Sequence, residues 1–224
     1  MKRMTLIVAA VVVAQMLLVL PARAAADLSS PKAAAMTFAK AVEAGDVQAA
    51  KAAAINEGEN AQLIETLTEV AANVNKLRDA AKAKFGDGAA EQFVGNRKPL
   101  EEMSKQLDKA EVKQDGDSAT ISSADQPGST KLKKIGSDWK VDLAASLKDS
   151  PQSAQIFQQL PFLKAIGVAM GETAGEISAD KYKTVDEAKQ AMQAKMMAAM
   201  ATMRRPAASQ PATPATATTA PSGS

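Results

Sequence analysis

The chain contains no cysteine and no histidine, and only 3% of its residues are aromatic. Each shortage excludes some chemistry. Without cysteine an exported protein has no disulfides, and no lipid-anchoring cysteine is present. Without histidine, Ser-His-Asp and Cys-His nucleophilic sites fall away. Histidine zinc sites and the commonest general base at neutral pH fall away with them. With few aromatics, alanine dominates the apolar residues. Alanine favours helix but buries little area, which predicts a helical, closely packed core of modest stability. No long block of like charge is present, so no nucleic-acid partner is expected.

What is present begins with one long apolar run, Leu6 to Leu20, interrupted only by Gln15. Lys2 and Arg3 precede it, and Pro21 ends it. Ala22-Arg23-Ala24 then supplies the small-x-small pattern that a signal peptidase accepts. At about 15 residues the run is short for a membrane span, which needs about 20. Residues 1–24 therefore read as a secretory signal, cut after Ala24 or Ala26, with an uncleaved anchor as the alternative. The mature protein is expected in a periplasmic or extracellular space, with no membrane association after cleavage. Lys2, Arg3 and Arg23 leave with the leader. The 27 basic residues then become 24 against 25 acidic ones, a net charge near −1.

Four regions follow from composition and periodicity. Ser30-Pro31 opens a helix with Ala35, Phe38 and Val42 on one face, closed by Gly45. Asp46 caps a short second helix to about Ile55. A long helix runs from near Asn60 to Lys84 and ends at Gly86. Its Leu63, Leu67, Val70, Val74, Leu77 and Ala81 make a four-three seam, read as intramolecular packing with a coiled coil as the rival. Asp87-Gly88 interrupts, and helix resumes from Pro99 to Asp108.

From Ala110 to Leu143 the pattern changes to a small antiparallel meander. Asp115-Gly116 and Gly136-Ser137-Asp138 mark its turns, and Asp125 to Ser129 forms a loop. Trp139, Val141 and Leu143 alternate with Lys140 and Asp142, so the sheet buries one side. Ser150-Pro151 reopens helical sequence, with Ile156, Leu160, Leu163 and Ile166 on one face and Pro161 expected to bend or break it. Thr184 and Glu187 form a capping box for a last helix to about Arg204. Proline, alanine, threonine and serine then make a tail at 205–224 that is expected to be disordered.

Two segments together resemble a known family. The helix from Ala33 to Asp46 with its short successor resembles the opening of the ketosteroid-isomerase-like or SnoaL-like cone fold, in the nuclear-transport-factor-like group. The stretch Leu132 to Leu143, with Gly136-Ser137-Asp138-Trp139-Lys140-Val141, is similar to the closing hairpin of its exported members. The resemblance covers about Ala33–Leu143. It implies helices on the concave face of a curved sheet, enclosing an apolar pocket. Here the pocket would be lined by Phe38, Ile121, Leu132, Trp139 and Val141. The chain departs from the family in a helical insertion at 60–108 and in the helices after Ser150. Catalytic members use histidine, tyrosine or strand-borne carboxylates in the cone. This chain has no histidine, and its only tyrosine, Tyr182, lies beyond the match, so no catalytic residue is carried over.

Other motifs have plainer explanations. Ser29-Ser30-Pro31-Lys32 spells S-x-x-K, but its partner motifs are missing and Ser30 is already a helix cap. Met197, Met200 and Met203 form an M-x-x-M-x-x-M run of soft donors. Met192, Met196 and Met203 are better placed as the apolar stripe of an amphipathic helix, with Met197 and Met200 nearer its exposed flank. Gly167, Gly171 and Gly175 suggest close approach of another helix. Glu172 and Glu176 read as solvated, and Asp115-Gly116-Asp117 as a turn.

The expected fold class is α+β and helix-rich, with helices packed on a small curved antiparallel sheet. It divides into a cone-like domain at 27–148 and a helical extension at 149–204. The expected function is that of an exported, non-enzymatic binding or interaction protein. No cofactor, metal or catalytic residue is expected, and the partner is a small apolar ligand or a protein. Two alternatives stay open: a cone-fold enzyme using an unrecognised carboxylate, and a helical scaffold self-associating through the Leu63–Ala81 seam.

Overall fold

The computed structural model describes residues 26–94, 101–122, 128–148 and 153–204. The leader, the helix start at 99–100, the loop at 125–127, positions 150–151 and the tail lie outside the described residues. Within them the protein is α+β and helix-rich, with one four-stranded antiparallel sheet.

Helix α1 (Pro31–Ala44) begins as its sequence dictates. Ser30 is extended, and its Oγ accepts the Ala33 amide at 3.2 Å, with proline at the first helical position. It ends on Gly45, whose φ of +71° is left-handed; the Gly45 amide donates to the Val42 carbonyl at 2.9 Å. The Asp46 carboxylate accepts the Ala49 amide at 3.0 Å and starts α2 (Val47–Ala53).

The sheet runs β1 (Glu111–Asp115), β2 (Ser118–Ser122), β3 (Ser129–Ile135) and β4 (Asp138–Asp142), in that spatial order. Its register places Ala119, Leu132 and Val141 side by side, and these, with Ile121 and Trp139, are buried beneath α1. Neighbouring chain covers the β4 edge. The Trp139 amide donates to the Leu28 carbonyl and the Ile55 amide to the Val141 carbonyl, both at 2.9 Å. All five residues of β1 are exposed, and Glu111, Lys113 and Asp115 place charges on that edge, which discourages strand addition.

The alternation that put Leu143 in the last strand stops one residue early. Asp142 Oδ1 accepts the Ala145 amide at 2.9 Å, acting as the cap of α6 (Leu143–Lys148). Buried Asn60 ties this corner together. Its Nδ2 donates to Asp142 Oδ1 at 3.1 Å, and its Oδ1 accepts the Ala144 amide at 2.8 Å. Asn60→Ala is expected to lower the unfolding free energy by about 1–3 kcal/mol, measured by urea denaturation, because it orphans a buried amide.

Helix α3 (Gly58–Phe85) is the spine. Its first half gives Ile64 and Ala71 to the core under the sheet. Its second half gives Leu77 and Ala81 to a second core with α4 (Asp87–Val94), α7 (Ser153–Ser178) and α8 (Val185–Arg204). The four-three seam is therefore only partly buried. Leu63, Leu77 and Ala81 are inside, but Leu67 is 38% exposed while Thr68 is fully buried. Several neighbours flank α3 at once, so burial spreads over more than one stripe.

Asp87-Gly88 does not interrupt helix. After Gly86, α4 begins at Asp87, in a first turn that suits an acidic residue, and buries Ala89, Ala90 and Phe93. The next helix, α5, spans Glu101–Lys109. Pro161 does not break α7, which is continuous through it. The α8 cap is shifted from the reciprocal box: Thr184 Oγ1 accepts the Glu187 amide, but the Glu187 carboxylate accepts the Lys183 amide at 2.7 Å.

Candidate functional site

The five residues assigned to a pocket come together. Phe38 from α1, Ile121 from β2, Leu132 from β3, and Trp139 and Val141 from β4 are at most 6% exposed and belong to one packed core. Trp139 and Val141 stand two residues apart on β4, so the pleat aims both at α1.

The S-x-x-K letters do not assemble as a site. Ser29 Oγ donates to the Asp27 carboxylate at 2.7 Å, while Lys32 Nζ donates to the Asp108 carbonyl at 2.6 Å. Among the described residues, no cluster of three or more histidine, cysteine, aspartate and glutamate side chains could hold a metal ion. Met192 is buried and Met196 half-buried in the second core, whereas Met197 is 66% exposed. The Met203 side chain lies outside the described residues.

Two of the three glycines on α7 meet α3 closely. A Cβ at Gly167 would sit 3.0 Å from Val70 Cγ2, and one at Gly171 would sit 2.6 Å from Asn73 Oδ1. Gly175 faces open space.

A polar cluster joins α7 to α8. Lys195 on α8 reaches Glu172 at 2.7 Å and Glu176 at 3.4 Å. Glu176 also accepts from Lys181 at 2.6 Å and from the Tyr182 hydroxyl. Lys181, Tyr182 and Lys195 donate to the Glu176 carboxylate and hold it down at about 2. Burial, and then the bond to Glu176, push Tyr182 up to about 12. The bond to Glu172 raises Lys195. All three shifts favour the protonation states already present at neutral pH, as expected of hydrogen-bonded ion pairs that tie one helix to the next. Glu176 is thus not the solvated carboxylate that helix spacing suggested. Its partner Lys195 lies on another helix, and spacing along one helix could not reveal it.

The sign of the pH effect follows. The folded-state pKa of Glu176 lies below its ordinary 4.5, so its contribution is present above that value and is lost as pH falls towards about 2. Tyr182 is raised above its ordinary 10.0, so its contribution is lost as pH climbs from there towards about 12. The melting temperature should therefore fall at both ends. Glu176→Gln should flatten the acid limb in scanning calorimetry; an unchanged acid limb in that variant would contradict the assignment.

Beside the cluster lies an open groove of about 370 Å³ between α7 and α8. Pro161, Ala165, Val168, Ala169 and Ala199 form its walls, with Lys164, Glu172 and Lys195 at its rim. Val168 is 48% exposed, one of few large apolar side chains in the described residues left so open. A wider cleft of about 660 Å³ lies between the Ala26–Asp27 segment, α1 and α2, lined by Thr37, Lys40, Asp46 and Gln48 among others. Among the described residues no helix is long and apolar enough to cross a membrane. Comparison of the chain with protein-family models, with curated proteins and with solved structures finds no match.

Proposed function

We propose that this chain is an exported, non-enzymatic interaction protein that meets its partner through the outer face of α7 and the groove it shares with α8. The observation that carries this reading is that groove: apolar walls around a half-open Val168, bounded by Lys164, Glu172 and Lys195. Such a surface, an apolar centre with a charged rim, is how protein interfaces are built. Two further features support it. The titratable cluster nearby is locked away from neutral pH by its own hydrogen bonds. The residues proposed for an apolar pocket are packed against one another. Helix α1 lying over the sheet supports a cone-like arrangement, but one in which those side chains serve as core.

The export half of the proposal rests on residues 1–24. Mass spectrometry of protein from the producing cell should find a mature N-terminus at Ala25 or Asp27 in a soluble envelope or secreted fraction. Intact Met1 in the membrane fraction would overturn that half. A photo-cross-linking amino acid placed at position 168 tests the interaction half. It should give a discrete cross-linked species in the exported fraction, whereas the same group at exposed Lys113 on β1 should not. Equal yields at both positions, or none at either, would overturn the surface assignment.

A further inference from the structure

The outer face of α7 is self-complementary, and we propose that its partner is a second copy of this chain, packed antiparallel across a two-fold axis at Val168. This rests on the reading above and names the partner for the same surface. Lys164 and Glu172 lie four residues either side of Val168, each about 6 Å along the helix axis. Both are exposed. Reversing one helix about Val168 brings Lys164 level with Glu172 of the second copy, and Glu172 level with its Lys164. An isologous interface sets one patch against itself, and this register brings opposite charges level with each other along the helix axis.

Shape follows the same symmetry. Seven residues either side of Val168 stand Pro161 and Gly175, both exposed. An added Cβ at Gly175 would meet nothing within 4 Å. The proline ring of one copy therefore falls opposite a position with no side chain on the other. The groove beside Val168 is lined by the small residues Ala165, Ala169 and Ala199, which lets a second helix come close.

Existing ion pairs do not block this. Lys164 is 4.0 Å from Glu69, both well exposed, and such contacts contribute little. Lys195 reaches Oε2 of Glu172, which leaves the second oxygen for Lys164 of the second copy.

The absence of cysteine gives a clean test. In the mature chain, Val168→Cys should form a disulfide-linked dimer under mild oxidation, since a two-fold axis brings the two residues together. Leu67→Cys, exposed on α3, should remain monomeric. Equal cross-linking of both variants, or of neither, would overturn the proposal.

Sedimentation equilibrium supplies the second arm. The wild-type mass should rise towards that of a dimer between about 1 μM and about 1 mM. Lys164→Glu and Glu172→Lys should each weaken association by roughly tenfold or more, and the two together should restore it. Circular dichroism and thermal melts confirm that each variant is folded. A wild-type chain monomeric throughout, or a double variant no better than the singles, would overturn the two-fold arrangement. A monomeric chain whose residue 168 still cross-links a different protein in the envelope would overturn this inference and leave the broader interaction surface standing.

Discussion

Trp139→Ala is expected to lower the unfolding free energy by about 3–5 kcal/mol, the largest loss from any single truncation of the sheet. Trp139 is 2% exposed and lies among Leu28, Phe38 and Val141 in the core beneath α1. Its main-chain amide donates to the Leu28 carbonyl at 2.9 Å, which holds β4 against the segment before α1. Alanine would leave a void in this packed core. Urea denaturation followed by circular dichroism gives the value. In the wild type, the single tryptophan should emit at short wavelength and shift red in one cooperative step on unfolding. Native emission like that of free indole would contradict the burial.

Gly45→Ala is expected to cost about 2–4 kcal/mol, combining a left-handed backbone with an overlap against α3. Gly45 has φ +71°, and a Cβ there would lie 2.6 Å from both Cα and Cβ of Ala72 and 2.9 Å from its nitrogen. Two of those atoms are main chain, so relief requires α1 and α3 to move apart. Gly58 supplies the control, having φ +55° with nothing within 4 Å of an added Cβ. Gly58→Ala should cost only the backbone component, about 1–2 kcal/mol. Equal losses at the two positions would show that the approach of Ala72 is not what constrains Gly45.

Local chemistry made much of this fold legible in the sequence. Ser30, Asp46 and Thr184 announced helix starts because a cap is a contact within three residues. Asp115-Gly116 announced a turn because only a few residues accept its backbone geometry. Alternation in 138–142 marked the buried face because strand pleat is local too. What escaped was decided by partners distant in sequence. Leu67 belongs to a regular seam yet faces outward, because α3 is packed from several directions at once. Leu143 fits the strand pattern, but the Asp142 cap, held by Asn60 from 82 residues away, turns the chain into helix. Helix α4 was hidden behind Asp87-Gly88, letters that spell a turn when no buried surface is there to recruit them.

The candidate site divided in the same way. The five apolar residues expected to line a pocket each lie on a regular face, and the structure gathers them in the core. The Glu172–Glu176–Lys195–Tyr182 cluster was missed because it forms only when α8 folds back on α7. The groove walls escaped for the same reason: Ala165 and Ala199 carry no chemical signal until two helices set them side by side.

Titrating the mature protein with a fluorescent fatty acid that accepts energy from Trp139 tests most directly whether the sheet's inner face is filled and binding left to the outside of α7. A filled core predicts no saturable energy transfer at probe concentrations below about 10 μM, and tryptophan emission that keeps its native wavelength. Stoichiometric transfer from Trp139, abolished by enlarging Val141 to phenylalanine in a variant that still folds, would show an occupied internal cavity and contradict it.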